Sequence, residues 1–324
     1  MTELTAARTS KTAVLTLALG VASLGLLVAT GVPAIYFGMQ AIREVNSSDG
    51  RLRGLRLAIT GFVLGIATSF VTIVGVVFML LFFAQEKNHL AGCTNNLRLI
   101  GQAAARYRDH HDDYYPAGTV ANEALPPDRR LSWQAALLPF LTEGRAADKK
   151  QGKPGHWDQL SEQIDFHAAW DAPTHAGLRQ NVSPYLCPSF LYMQSSGQVG
   201  LTSYVGMAGI GLDAPTLPLK DPRCGFFGYD RHIKQTDITA GASETMMVVE
   251  TTQDNGAWMA GGPATVRGLD PDGERYVGWG RPFGGLHREG MNVLWADGSV
   301  RVVTVSIDEI LFRDTALIAR TGLE

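Results

Sequence analysis

The chain has 324 residues, of which 45% are hydrophobic and 18% are charged, and its formal net charge is −3 at pH 7. Nucleic-acid-binding proteins usually carry an excess of Lys and Arg, so this balance disfavours nucleic acid as a partner. The apolar residues are concentrated near the N-terminus, which is typical of a membrane-anchored protein rather than of a single soluble domain.

Charged residues are missing from two long segments, 12–42 and 57–85. Each exceeds the roughly 20 apolar residues that a helix needs to cross the hydrocarbon core of a bilayer. We therefore predict two transmembrane helices, at 13–37 and 57–83, with the lipid bilayer as a partner. A secretory signal peptide is the alternative for the first segment, but its apolar run is longer than a signal peptide requires.

The segment between the two predicted spans, residues 43–56, is basic. It contains Arg43, Arg51, Arg53 and Arg56. Short loops rich in Lys and Arg stay on the cytoplasmic side of the membrane. We therefore expect this loop in the cytoplasm, and both termini on the exterior side.

Residues 13–85 thus form a two-helix membrane module that follows a tail of residues 1–12. The first helix leaves the membrane through Gly31-Val-Pro-Ala-Ile-Tyr-Phe-Gly, and the second begins with Arg53-Gly-Leu-Arg-Leu-Ala-Ile-Thr-Gly-Phe-Val-Leu-Gly. These two stretches resemble a small bacterial membrane module of unknown function. The small residues Gly61 and Gly65 also predict close packing of the two helices.

A polar helix with a single apolar stripe follows the second span. Leu97, Ile100, Ala104 and Tyr107 recur at helical spacing on an otherwise polar segment. Pro116 is expected to end this helix. If the second span continues into this segment, the two form one long helix that is first a membrane anchor and then the spine of the exterior part.

The rest of the exterior part predicts an α+β fold with an antiparallel sheet, because short apolar and β-branched runs alternate with turn residues. The predicted strands are 202–205, 245–250, 258–260, 291–296 and 300–305. The Pro- and Gly-rich segment 211–236 is expected to be a surface loop. A terminal amphipathic helix is expected at 307–322.

The last two predicted strands form a hairpin with a distinctive spacing. Asp297-Gly298 supplies the positive-φ positions of a tight turn, and nine residues separate His287 from the Asp. With its flanks, this H-x9-D-G spacing resembles the C-terminal signature of a bacterial envelope family with a pilin-like or pseudopilin-like fold. Members of that family are mostly described as domains of unknown function.

Other segments of the exterior part match the same family. They are Cys93-Thr-Asn-Asn-Leu-Arg-Leu-Ile-Gly, Leu131-Ser-Trp, Ile164-Asp-Phe-His-Ala-Ala-Trp-Asp, Cys187-Pro-Ser, Ser203-Tyr-Val-Gly, and the Ser-x-Thr element that runs from Ser243 to Glu250. The resemblance implies that residues 86–324 are an exterior pilin-like domain whose long N-terminal spine helix packs on the sheet. It also implies a multi-pass protein of the bacterial inner membrane with this domain on the periplasmic side.

The chain departs from pilins in one respect. No peptidase site of the Gly-Phe-Thr-Leu-x-Glu kind precedes 57–83, and no acidic residue lies in that span. We therefore expect no prepilin-type cleavage at the second span.

Three cysteines, Cys93, Cys187 and Cys224, suit an oxidising compartment but leave one residue unpaired. We predict a Cys187–Cys224 disulfide, since both residues lie in the loop-rich sheet region, and a free Cys93 on the spine helix. No pair forms a C-x-x-C motif, which disfavours a zinc ribbon or a thioredoxin-like site.

His287 and Asp297 are the residues that most suggest a site. The hairpin is expected to bring them together in a structural hydrogen bond. A calcium site with Asp297 and Glu250 as oxygen ligands is the alternative. Catalysis would also need a nucleophile and oxyanion donors, so we predict no catalytic residue, no cofactor and no enzymatic activity.

The densest group of potential metal ligands is His-His-Asp-Asp at 110–113. Successive helical residues point about 100° apart, so these four side chains do not converge on one ion. A solvated helix end, with His near the C-terminal dipole, is the preferred interpretation.

These observations together predict a membrane-anchored envelope protein with a structural or scaffolding role, acting through self-association or as a component of an envelope or secretion assembly. The alternative is a calcium- or carbohydrate-binding sensor in the envelope, because six Trp residues are many for one domain and exposed Trp rings stack on sugars.

Overall fold

The computed structural model describes residues 8–9, 15, 28–48, 52–141, 156–191, 200–273, 275–288 and 290–319. Contacts between Cα atoms divide the chain into two compact units, Met1–Gln85 and Glu86–Glu324.

The described residues of the first unit include two long helices and two very short strands. Strand β1 (Arg8–Thr9) pairs in parallel with β2 (Leu52–Arg53). Helix α1 covers Val28–Asn46. Helix α2 covers Leu55–His110 and therefore begins in the first unit and ends in the second.

The two predicted membrane spans differ in what the structure shows. Most of the first span, 13–37, lies outside the described residues, and only its last part falls in α1. The second span, 57–83, lies within α2. Among the described residues, α2 is the one helix long and apolar enough to cross a membrane by length and composition.

Small residues bring α1 and α2 close together. Ala41 of α1 and Ala58 of α2 are fully buried in one cluster. A Cβ atom at Gly38 would lie 2.8 Å from the Cβ of Phe62, closer than side chains approach. Close packing through small residues is the usual way in which membrane helices associate, as lipid tails provide no hydrophobic drive for it.

The second part of α2 is the spine of the second unit. Cys93, Leu97, Ile100 and Ala104 are buried, so the predicted apolar stripe does face the core. The helix ends at His110, before the predicted stop at Pro116, because the chain turns through two residues with positive φ, Asp112 and Asp113.

Besides the second part of α2, the described residues of the second unit form four short helices and five strands. The helices are α3 (Trp133–Leu137), α4 (His156–Ser161), α5 (Pro188–Leu191) and α6 (Glu309–Thr315). The strands are β3 (Tyr204–Ile210), β4 (Met246–Glu250), β5 (Val266–Leu269), β6 (Gly290–Trp295) and β7 (Val300–Thr304). Several 3-10 turns, among them Pro173–Leu178 and Ser183–Tyr185, connect them.

The sheet has the strand order β5-β3-β4-β6-β7 and is mixed, so the predicted all-antiparallel sheet is wrong at one pairing. Strand β5 runs parallel to β3, while the other neighbours are antiparallel. The reason is topological: after β4 the chain crosses to the far edge of β3 before it forms β5. The predicted strand 258–260 is instead a short connection with one isolated bridge, between Ala260 and Leu131.

Both faces of the sheet are covered. The face toward α2 packs Tyr204 and Leu294 into one core with the spine and with α3. The opposite face packs Val205 and Val293 into a second core with Phe312 of α6. Because successive strand residues alternate between two buried faces, the central strands are apolar almost throughout.

The segment 211–236, expected at the surface, is partly a core element. The side chain of Arg231 is buried and donates hydrogen bonds to a ring of backbone carbonyls from this region, those of Ala208, Ala214, Leu217, Gly225 and Phe227. Carbonyl groups of a buried irregular segment need donors, and Nη1 and Nη2 of Arg231 together supply them.

The β6–β7 hairpin has the local geometry that its sequence predicts. The last strand pair is Leu294↔Val300, and the backbone N–H of Ser299 donates to Oδ1 of Asp297 at 2.8 Å. Gly298 has a φ of +83°, which is the region that glycine adopts without Cβ strain. The hairpin therefore belongs to the fold itself, and Asp297 acts within its own turn.

Candidate functional site

Four buried side chains from distant parts of the second unit meet at one end of the sheet. They are Cys93, Cys187, Glu250 and His287, and their potential ligand atoms all lie within 4.8 Å of one another. We name this group the Cys–Glu–His cluster. It is the one group of three or more His, Cys, Asp or Glu side chains with such spacing among the described residues.

A disulfide bond joins Cys93 of α2 to Cys187, with a Cα–Cα distance of 5.1 Å and a sequence separation of 94. Asn96, one turn further along α2, donates from Nδ2 to the carbonyls of Ser183 and Leu186 at 3.1 and 2.9 Å. The backbone N–H of Cys187 donates to Oγ of Ser203 at 2.6 Å. The turn that carries Cys187 is thus held by the spine helix on one side and by the sheet on the other.

Glu250 is the last residue of β4, and its carboxylate points toward the spine. The backbone N–H of Asn292 donates to Oε2 at 2.7 Å, and Nδ2 of the same residue donates to Oε1 at 3.1 Å. Thr94 of α2 donates from Oγ1 to Oδ1 of Asn292 at 3.0 Å. The chain of contacts from helix to amide to carboxylate fixes the position of Glu250.

Burial controls the ionisation of this carboxyl group. Removal from water raises the pKa of Glu250 to about 7, although the two hydrogen bonds from Asn292 act in the opposite direction. The pKa of Tyr204, the cross-strand partner of Glu250, is also raised, first by burial and then by the carboxylate charge.

His287 lies between the disulfide and the carboxylate. Its Nε2 atom is 3.6 Å from Sγ of Cys187 and 3.8 Å from Oε1 of Glu250. The residue precedes β6 in a loop whose Gly284 N–H donates to the carbonyl of Glu250 at 2.7 Å. This backbone bond brings the loop, and with it the imidazole, to the end of β4.

The predicted Cys187–Cys224 disulfide is wrong, because Cys187 is bonded to Cys93. Cys224 is a buried free thiol that lies beside Gly209 of β3 and donates to the carbonyl of Pro218 at 2.9 Å. The prediction failed because the spine helix passes directly beside the turn at 183–187. Proximity along the chain gave no sign of that contact.

The predicted pairing of His287 with Asp297 is also wrong. His287 lies before β6 and Asp297 lies in the turn after it, so the six residues of the strand separate them. At about 3.3 Å per residue, the two side chains are roughly 20 Å or more apart along the strand. The calcium site suggested for Asp297 and Glu250 fails for the same reason, since Asp297 is exposed in the turn and Glu250 is at the other end of the sheet.

Residues 110–113 form an exposed helix end, in agreement with the preferred interpretation. The ring of His111 stacks on Tyr107, with 3.7 Å between the centroids, and its Nδ1 is 2.7 Å from the carbonyl of Tyr107. These contacts direct it back along the helix and away from the two Asp residues.

Cys93, Asn292 and Thr94 were not predicted from the sequence as members or supports of the site. Cys93, Cys187, Ser203 and Glu250 all lie in the segments that carried the family resemblance. The sequence therefore did contain a clue to the site. The motifs contain polar residue types that are buried in the fold, and buried polar groups need one another as hydrogen-bond partners. Asn292 is one residue beyond the last Cα pair of β4 and β6, Val249↔Val293, and only that register identifies it.

The arrangement has two chemical capacities. In its oxidised form it is a covalent cross-link between the spine and the turn before α5, and His287 and Glu250 fill the space beside it. In a reduced form it would present two thiols, an imidazole and a carboxylate, which is a set of ligands suited to a divalent transition metal.

The disulfide should stabilise the second unit substantially. Cys93→Ala is expected to lower the unfolding free energy by roughly 2–5 kcal/mol, as the bond closes a long loop in the unfolded chain. Cys224→Ser is the matched control, since Ser keeps a donor for Pro218. Thermal unfolding of the full chain in detergent, together with non-reducing peptide mapping, measures this. Equal midpoints for the two variants, or a mapped Cys187–Cys224 peptide, would contradict the assignment.

The raised pKa of Glu250 predicts a pH-dependent stability. Below pH 4.5 both folded and unfolded states hold the proton, whereas between pH 4.5 and about 7 only the folded state does. The native state should therefore lose about 3 kcal/mol over this window from this group as pH rises. Denaturant titrations of the wild type and Glu250→Gln at several pH values isolate the effect. The difference between them should grow with pH, and Glu250→Asp, which keeps a buried carboxyl, should behave like the wild type.

One comparison with known protein families gives a match, and it covers most of the second unit. Searches of curated proteins and of solved structures give no significant match. A family model described as "Protein of unknown function (DUF1559)" matches residues 91–268 and 257–309. The matched region contains all four residues of the Cys–Glu–His cluster, and it covers more than half of the 324 residues. The chain therefore belongs to the DUF1559 family.

Proposed function

We propose that the protein is a membrane-anchored structural or scaffolding protein of the bacterial envelope, with residues 86–324 as a pilin-like domain on the exterior side and no enzymatic activity. The observation that carries this proposal is the composition of α2. A single helix supplies an apolar surface for the bilayer in its first part and the buried spine of a folded domain in its second part.

The first part of α2 has the exposure pattern of a membrane span. Phe70, Phe78 and Leu81 are 67%, 70% and 65% exposed, and the neighbouring apolar side chains are similar. A continuous apolar surface of this kind is unfavourable in water, at about 25 cal/mol for each Å². A bilayer removes this cost, since α2 is long enough to cross the hydrocarbon core.

The disulfide supports an exterior position for the second unit. Disulfide bonds persist in oxidising compartments such as the periplasm and are rare in the cytoplasm. The arginines of residues 43–56 independently favour a cytoplasmic position for that loop. The disulfide and the basic loop both support an exterior position for the domain.

Exposed apolar side chains on the second unit favour an assembly role. Four of them follow one another closely in the chain, on the edge strand β7, directly after it and on α6: Val302, Val305, Ile310 and Leu311. An edge strand with apolar neighbours is a natural site for association, because its outer N–H and C=O groups have no partner strand in the sheet. We propose that this surface contacts a second copy of the chain.

The sensor alternative receives less support. Its calcium ligands, Asp297 and Glu250, are at opposite ends of the sheet. Four of the six Trp residues are buried, and Trp279 is 76% exposed as a single ring rather than as part of a row for sugar stacking. We therefore keep the structural role as the proposed function.

The orientation can be tested with paired reporters. A reporter that is active only in the cytoplasm should be silent when fused after Glu324 and active when inserted after Asp49. A reporter that is active only outside should give the reverse pattern. Joint replacement Arg51→Gln, Arg53→Gln and Arg56→Gln is the control and should weaken the orientation. A strong cytoplasmic signal after Glu324 would contradict the proposal.

The association can be tested with photo-reactive amino acids in native membranes. A probe at Ile310 should give a covalent dimer when two differently tagged copies are expressed together. A probe at Glu123, which is exposed on another element, should not. An adduct with a different protein would point to a mixed assembly, and absence of any adduct at Ile310 would contradict an assembly role for this surface.

A further inference from the structure

We propose that the Cys–Glu–His cluster is a zinc-binding site when the Cys93–Cys187 bond is reduced. Zinc binding here would be independent of the proposed structural role, because it involves only four side chains within the second unit.

The distances fit a tetrahedral ion with little rearrangement. With zinc–sulfur bonds of about 2.3 Å and zinc–nitrogen or zinc–oxygen bonds of about 2.1 Å, tetrahedral ligands lie about 3.6 Å apart for S and N and about 3.4 Å apart for N and O. The observed separations are 3.6 Å from Sγ of Cys187 to Nε2 of His287 and 3.8 Å from that Nε2 to Oε1 of Glu250. The separation between Nε2 and Oε1 must shorten by a few tenths of an ångström, and the two bonded sulfur atoms must move apart to about 3.8 Å.

The carboxylate ligand is already oriented. Asn292 donates one hydrogen bond to each oxygen of Glu250, and Thr94 in turn donates to Asn292. Partners of this kind around a metal ligand fix its direction and raise the affinity of the site. Oε1, the oxygen nearest to His287, is the atom presented to the ion.

The burial of the cluster favours a structural ion over a catalytic one. Cys93, Cys187 and Glu250 are fully buried, and His287 is 7% exposed. Four protein ligands in a closed site fill the coordination of zinc and leave no position for a substrate. A divalent cation would also offset the negative charge that two thiolates and a carboxylate place in a region of low dielectric constant.

A dithiol can reduce the Cys93–Cys187 bond. The dithiol supplies two electrons and two protons, the Cys93–Cys187 bond breaks, two thiols form, and the reductant becomes a disulfide. Zinc then replaces the two thiol protons, which pass to solvent. In both states the same residues connect the spine helix to the turn before α5 and to the ends of β4 and β6.

The test uses the full chain in detergent, reduced with a phosphine that offers no competing thiol, and then loaded with zinc and dialysed. We expect about one zinc per reduced chain by native mass spectrometry, and none on the oxidised chain. Cobalt should give thiolate charge-transfer and tetrahedral ligand-field bands in the reduced protein only. Cys224→Ser is the matched control and should retain the ion.

Cys93→Ser, His287→Ala and Glu250→Gln should each weaken zinc binding by at least tenfold. Because a variant can fail for lack of folding, the wild type provides a second measurement. Zinc should raise the thermal midpoint of the reduced chain but not of the oxidised chain, and a chelator should reverse the increase. A reduced wild type that takes up no metal, uptake that survives His287→Ala, or uptake that is lost in Cys224→Ser would overturn the proposal.

Discussion

The attachment of the spine helix to the turn at residues 183–187 is the constraint on which the second unit depends. Without it, α2 would present an apolar stripe with no fixed register against the sheet. The disulfide at Cys93 sets that register along the helix, and Asn96 repeats it one turn later with hydrogen bonds to two carbonyls. Thr94 extends the same contact to the sheet through Asn292. Three neighbouring positions of one helix therefore determine how the helix, the turn and the sheet fit together.

The buried carboxyl group of Glu250 lowers the stability of the second unit. Glu250 is fully buried, and its raised pKa reflects the free-energy penalty for removing its charge from water. Asn292 offsets part of that penalty by donating to both oxygens. A group that lowers stability and yet is carefully oriented is more readily explained by a chemical role than by packing.

Local patterns in the sequence predicted the parts of the structure that local forces determine. The stripe at Leu97, Ile100 and Ala104 follows from helical periodicity, and the turn at Gly298 follows from the backbone freedom of glycine. The partner of Cys187, the parallel strand β5 and the carbonyl ring around Arg231 all depend on contacts between residues far apart in the chain. Periodicity and turn signals contain no information on such contacts. For the candidate site, the residue types were visible in the motifs, while their convergence was not.

The disulfide joins residues 94 positions apart, so everything between them is enclosed in a covalent ring. A protease that cuts the backbone anywhere inside this ring produces two pieces that remain joined through sulfur. The C-terminal piece, with the whole sheet, would still be tethered to α2 and through it to the apolar segment. Release of the whole domain therefore requires either a cut between the apolar segment and Cys93, or a cut inside the ring together with reduction of the disulfide. A single pair of cysteines therefore keeps the sheet attached to α2 after a backbone cut between residues 93 and 187.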